Sequence, residues 1–154
     1  MLYVQNDVAD RVESMLAGAM QQLSVGNPEL HSTDVGPVID ASAQQSLQAH
    51  LDELDRSARL IARAPVPAAC EDGYFVAPAA YGIESIKDLK DEHFGPILHV
   101  VRYDAERLDE VIDEINGSGY GLTLGIHSRS ESTAAYIEQR VKVGNTYVNR
   151  NQIG

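Results

Sequence analysis

The sequence has a single cysteine, no cluster of basic residues and no long hydrophobic run, and each shortage removes a class of function. One thiol, Cys70, cannot close an internal disulfide, which fits a reducing, cytoplasmic setting. Lys and Arg number 12 against 23 Asp and Glu, for a formal net charge of -11, and the cations are scattered. Nucleic acids and anionic membrane surfaces are gripped by clustered Lys and Arg, so neither is an expected partner. No segment approaches the roughly 18 apolar residues of a membrane span. The first 20 residues read as an amphipathic helix rather than a secretory signal. The G-x-S-x-G elbow and the glycine-rich phosphate loops G-x-x-x-x-G-K-[ST] and G-x-G-x-x-G are also missing.

What remains is ordinary in bulk. A chain of 154 residues with 44% hydrophobic and 23% charged residues suits one soluble domain with a real core. Residues 2–5 (Leu2-Tyr3-Val4-Gln5) read as a strand. Asn6 or Asp7 then caps a helix whose apolar side is Val8, Val12, Met15, Leu16, Ala19, Met20 and Leu23, with Gly26-Asn27-Pro28 as its stop. A second helix begins near Ser42 and buries Leu47, Leu51 and Leu54. Residues 60–63 suggest a strand, and Tyr74-Phe75-Val76 a short extended run within a Pro- and Ala-rich loop. Residues 97–103 are apolar nearly throughout, as in a strand covered on both faces. A helix over 105–116, a strand over 122–127, a helix capped by Ser130 and a strand over 146–149 follow. This β-α-β-α-β alternation predicts an α/β fold with a mostly parallel sheet and flanking helices.

Few residues qualify as chemical actors. Cys70 lies in Ala68-Ala69-Cys70-Glu71-Asp72, where two neighbouring acids disfavour a thiolate, so it is not expected to be a nucleophile. The histidines (His31, His50, His93, His99, His127) show no metal-ligand spacing and read as surface or strand residues; no metal site is expected. His93 stands out only by its position. Gly117-Ser118-Gly119-Tyr120-Gly121 follows a helix and precedes a strand, the reverse of a phosphate-binding order, and reads as a helix stop. The most informative segment is Glu92-His93-Phe94-Gly95-Pro96. A carboxylate and an aromatic ring two positions apart, aimed by a Gly-Pro turn, suit a ribose and the flat ring attached to it. A surface acid, a packed ring and a turn would account for the same string.

The flanking motifs decide between these. Gly73-Tyr74-Phe75-Val76-Ala77-Pro78, Glu92-His93-Phe94-Gly95-Pro96, Tyr120-Gly121-Leu122-Thr123 and Gly144-Asn145-Thr146-Tyr147-Val148-Asn149 resemble, in order and spacing, the aldehyde dehydrogenase superfamily. Further segments, among them Leu98-His99-Val100-Val101-Arg102-Tyr103 and Val148-Asn149-Arg150-Asn151, look closest to the L-glutamate γ-semialdehyde dehydrogenase part of bifunctional proline utilization A enzymes. The resemblance implies a partial catalytic domain over residues 1–154 and NAD as cofactor. In the family the motif glutamate accepts from the ribose hydroxyls beside the nicotinamide and the phenylalanine packs near that ring, roles that fall here on Glu92 and Phe94. His93 departs from the small apolar residue usual between them.

The family's cysteine nucleophile, general-base glutamate and NAD-binding domain lie upstream of the strand that begins at Leu2, and its substrate loop lies beyond Gly154. No catalytic residue is therefore assigned, and the chain alone is expected to be inactive. The resemblance implies a larger, homo-oligomeric parent enzyme acting on a small-molecule aldehyde, L-glutamate γ-semialdehyde above others. The alternative is a non-catalytic remnant or interaction module that pairs with a full-length aldehyde dehydrogenase subunit.

Overall fold

The computed structural model describes residues 1–89 and 91–152. The chain forms two compact units, Met1–Arg102 and Tyr103–Gly154. The first is built on a four-stranded sheet of β1 (Leu2–Gln5), β2 (Arg59–Arg63), β3 (Ala79–Ile83) and β4 (Ile97–Tyr103), in the order β1-β4-β3-β2. β3 and β4 run parallel, with Ala79 opposite Ile97 and Tyr81 opposite His99; β2 joins β3 antiparallel.

One helix lies on each face of this sheet. On one side α1 (Asn6–Met20) packs Ala9, Val12, Leu16 and Met20 against Val4, Ala62, Ala80 and Val100. On the other, α2 (Ala41–Ser57) packs Leu47, Leu51 and Leu54 against Val76, Ala79 and Tyr81. Alternate residues of β3 thus serve opposite cores, and three of its five residues are buried in succession. Burial of β4 at His99, Val100 and Val101 agrees with the two-sided cover expected of it.

The extended segment before β4 is not the one that the pattern of residues 74–76 suggested. Tyr74, Phe75 and Val76 lie outside any strand, and β3 forms instead from Ala79-Ala80-Tyr81-Gly82-Ile83. Two alanines and a glycine carry little intrinsic strand preference. They are placed by tertiary packing, and at Gly82 a Cβ would meet the Arg59 guanidinium at 2.9 Å. At α2 the expected stripe is present, and Asp40 caps the helix by accepting from the Ala43 amide at 2.8 Å.

At α1 three expectations are corrected. Neither Asn6 nor Asp7 is the cap residue: Gln5, still extended, precedes the helix and its side chain makes no capping bond. The helix ends at Met20, before Gly26-Asn27-Pro28. The buried stripe is also rotated, because Met15 is 66% and Val8 46% exposed and Ala19 faces outward, while Glu13 is 7% exposed. One oxygen of Glu13, Oε1, accepts from Arg59 Nη2 on β2 and from Arg102 Nε on β4, each at 2.8 Å. A buried carboxylate requires such partners, so the pair of guanidinium groups selects the face that α1 presents. The Arg102 bond, ahead of the opposing effect of burial and the Arg59 bond, holds the Glu13 carboxyl down to about 2.

The second unit carries α3 (Leu108–Gly117), β5 (Thr123–Ile126), α4 (Glu131–Glu138) and β6 (Asn145–Val148). β5 and β6 form a parallel pair, Thr123 opposite Asn145 and Ile126 opposite Val148. α3 buries Val111 and Ile112, and Ser130 caps α4 by accepting from the Thr133 amide at 3.2 Å, as its position predicted. Gly119 has φ +81, a conformation that favours glycine in the turn after α3. Among the described residues no helix is long and apolar enough to cross a membrane.

Replacing Glu13 by Gln is expected to lower stability by about 2 kcal/mol at pH 7, the scale of hydrogen bonds to charged groups. Because the carboxyl is held below its ordinary value near 4.5, its contribution is complete above that value and disappears as the pH falls toward about 2. Urea midpoints of wild type and Glu13→Gln at pH 7 should therefore differ, and the difference should shrink below about pH 4.5.

Candidate cofactor-binding site

Residues 91–96 connect a single 3-10 turn, Ile86–Asp88, to β4. The turn is closed at its start by a capping box: Ser85 accepts from the Lys87 amide and Asp88 from the Ser85 amide. At the other end the segment is tied to the sheet. The Ala79 amide donates to Pro96 O at 3.0 Å, and Ile97 N donates to Gly95 O at 2.9 Å. Since β3 and β4 are parallel and in register, Pro78 and Pro96 leave the sheet at the same end. The first two motifs are therefore neighbours in space.

The rear of both motifs is α2. Gln44 Nε2 donates to Phe75 O at 2.9 Å, and Val76 packs into the core around Leu47, Leu51 and Leu54. One turn along, Leu47 lies against Gly95: a Cβ there would meet its Cδ1 at 2.5 Å and its Cδ2 at 2.7 Å. A further turn brings His50, whose ring stacks on His93 with centroids 3.6 Å apart and planes 11° from parallel. Behind it His50 Nε2 meets His99 Nε2 of β4 at 2.9 Å.

Only one nitrogen of such a pair can donate, so the two rings adopt complementary protonation at these atoms. Burial, reinforced by His93, lowers the pKa of His50, while Glu53 opposes. Burial, then His50, the Met1 amino group and His93, bring His99 down to about 4. The cluster thus favours uncharged rings.

Glu92 and Phe94, on either side of His93, are both exposed, Phe94 at 82%, with no hydrogen bond or ion pair among the described residues. A carboxylate with both oxygens open and a ring with open faces, on a turn held from behind, can take a vicinal diol and a flat heterocycle together. His50 and Gln44, which hold this arrangement, were not singled out from the sequence. His50 is a buried helix residue and not a surface or strand one. Its position three residues after Leu47, inside the apolar stripe, is the sequence signal that marks it.

The other two motifs also meet each other. Tyr120-Gly121-Leu122-Thr123 leads into β5 and Gly144-Asn145-Thr146-Tyr147-Val148-Asn149 forms β6. Gly144 N donates to Gly121 O at 2.8 Å, and a Cβ on Gly121 would come within 2.6 Å of Lys142 O. Asn149, with φ 53, exchanges two bonds with the Ser128 backbone, accepting at 2.9 Å and donating at 2.8 Å. Cys70 lies away from residues 92–96, beside a concavity of about 500 Å³ bounded by Val25, Pro28 and Phe75 among others. It is 6% exposed and its Sγ faces Val25 O at 3.8 Å.

These motif pairings are accompanied by a family match over residues 1–154 to the aldehyde dehydrogenase family. The chain belongs to the aldehyde dehydrogenase family. It is 45% identical over 159 aligned positions to the bifunctional protein PutA of Klebsiella aerogenes, covering 99% of this chain and 12% of that protein. A crystal structure of a proline utilization A variant from Bradyrhizobium japonicum superposes with a TM-score of 0.93 at 49% identity, over 99% of this chain and 15% of the other. An aldehyde dehydrogenase structure from Bacillus cereus, 23% identical, shares the fold with a TM-score of 0.86 over 99% of this chain and 31% of its own. The chain thus spans only about an eighth of the length of the PutA protein it matches.

Gly95→Ala should force Leu47 or the turn to move. A destabilisation of about 1–3 kcal/mol is expected, as for other overpacked core positions. Thermal unfolding of this variant beside a Gly18→Ala control, where nothing lies within 4 Å, would measure it.

Proposed function

We propose that this chain is part of an NAD-dependent dehydrogenase that oxidises an aldehyde to a carboxylate, with L-glutamate γ-semialdehyde as substrate and glutamate as product in proline catabolism. The observation that carries the reading is the joint exposure of Glu92 and Phe94 on a turn fixed from behind by Leu47 and the histidine cluster. The similarity to PutA proteins over 99% of the chain supports the choice of pathway. Members of this family generally use NAD or NADP.

The residues present fit the nicotinamide end of such a cofactor. Glu92 has no protein donor among the described residues, leaving its oxygens for the two hydroxyls of a ribose, and charge-assisted bonds of this type are the stronger kind. Phe94 offers an uncovered ring against which the nicotinamide can pack. NAD bound there would supply the hydride acceptor that oxidation of an aldehyde requires. The contribution of this chain is orientation. Holding the ribose from one side restricts the nicotinamide to one pose, and restricted pose is a large part of what a binding site adds to rate. The Gly95-Pro96 turn follows both side chains, and the bond from Ala79 N to Pro96 O ties it to the sheet. The chemistry of bond-making at the aldehyde is assigned to residues of the parent enzyme outside this chain, which alone is inactive on this reading.

Glu92→Gln in the full-length protein keeps the size of the side chain and removes its charge. NAD affinity should fall by roughly tenfold, the scale of one lost charge-assisted bond, and calorimetric titration with NAD would measure it. Unchanged affinity together with unchanged turnover of γ-semialdehyde would remove Glu92 from the cofactor contact.

A further inference from the structure

His93 occupies the one position of Glu92-His93-Phe94-Gly95-Pro96 that faces the protein interior in company with other titratable rings. Its side chain stacks on His50 of α2 at 3.6 Å between centroids, and His50 in turn bonds His99 of β4 at 2.9 Å between Nε2 atoms. His50 and His99 are each 7% exposed. The three rings form a continuous bridge from the turn, through the helix, to the central sheet. The two functional side chains flank His93 directly, and neither has a hydrogen bond or ion pair of its own among the described residues. Leu47 fixes only the backbone at Gly95.

We propose that His93 is a positioning residue, whose stack on the His50–His99 pair sets the orientation of Glu92 and Phe94 toward their ligand. The inference rests on the reading of those two residues as a cofactor contact. It also carries a pH dependence with a defined sign. An Nε2–Nε2 hydrogen bond survives one proton on the pair but not two, because both nitrogens would then be donors. Two stacked imidazolium rings likewise repel. The groups felt by His50 are His93 and, with the opposite sign, Glu53; those felt by His99 are His50, the Met1 amino group and His93. Because both buried rings are held below the ordinary histidine value, the bridge is fully formed above about pH 6.5 and is lost as the pH falls toward about 4.

The test uses the full-length protein and two variants, His93→Ala, which deletes the stack, and His93→Phe, which keeps a stacking ring without a proton. Two readouts are taken: the NAD dissociation constant at pH 7.5 and 5.0, and the histidine ring resonances of the cofactor-free protein. In the wild type the constant should change by less than about twofold between these values, because the pair takes its second proton only toward about pH 4. His93→Ala should bind roughly tenfold more weakly at pH 7.5, and His93→Phe should restore that affinity at both pH values. In the cofactor-free spectra, the His50 ring signals should move in His93→Ala. An alanine variant that binds as the wild type does at both pH values, while Glu92→Gln weakens binding, overturns the positioning role and leaves the cofactor contact standing. Normal binding by Glu92→Gln overturns the cofactor contact instead. In that case the ring spectra alone decide whether the histidine bridge exists, and unmoved His50 signals sink it as well.

Discussion

Glu13 is the constraint on which the first unit turns. A carboxylate buried to this degree is tolerated only with donors in place, and its two donors come from different strands, Arg59 on β2 and Arg102 on β4. β3 runs between those strands, so the ion pairs reach across it and require it to be low. Gly82 meets this need: it sits opposite Arg59 in the ladder, and a Cβ there would come within 2.9 Å of the Arg59 guanidinium. The small residues of β3, the rotation of α1 and the register of β2 are consequences of one arrangement. Arg102 also bonds Asp10 one helical turn earlier at 2.8 Å, but that carboxylate is exposed and adds little.

With α1 fixed on one face, α2 is free to serve the other, and its stripe does two jobs. Leu47, Leu51 and Leu54 form the core, while Gln44, Leu47 and His50 touch the two motifs that leave the sheet at one end. The polar contacts sit at the edge of the apolar ones, where backbone carbonyls such as Phe75 O would otherwise lack donors. Rigid support behind and open side chains in front is the arrangement a binding turn needs, since a ligand contact held loosely loses most of its orienting value. A partly exposed network, Asp55 with Arg63 and the hydroxyl of Tyr81, anchors the other end of α2 to β2 and β3.

Much of this was legible in the chain itself. The positions of β1, α2, β4, α3 and α4 follow from apolar periodicity and, at α4, from the Ser130 cap, because those signals are local. The motifs were legible as strings, and their spacing sufficed for family membership. Less legible were β3, whose Ala-Ala-Tyr-Gly-Ile carries no strand pattern, and the true face of α1. Hydrophobic periodicity places Val8 and Met15 inward, and only the salt bridges of Glu13 reverse that. His50 and Gln44 were hidden for the same reason: a polar residue in a stripe is recognised only when its partner, distant in sequence, is known.

The sequence alone determined the class of fold, the family and the string that places Glu92 and Phe94 beside a Gly-Pro turn, since each depends on residue types at fixed local spacing. The tertiary structure decided what stands behind that pair. Leu47 and His50 lie more than 40 positions before the turn in the chain, and His99 lies on a different element again. Contacts over such separations are chosen by how two helices and four strands pack around a buried charge, and no local pattern encodes that choice.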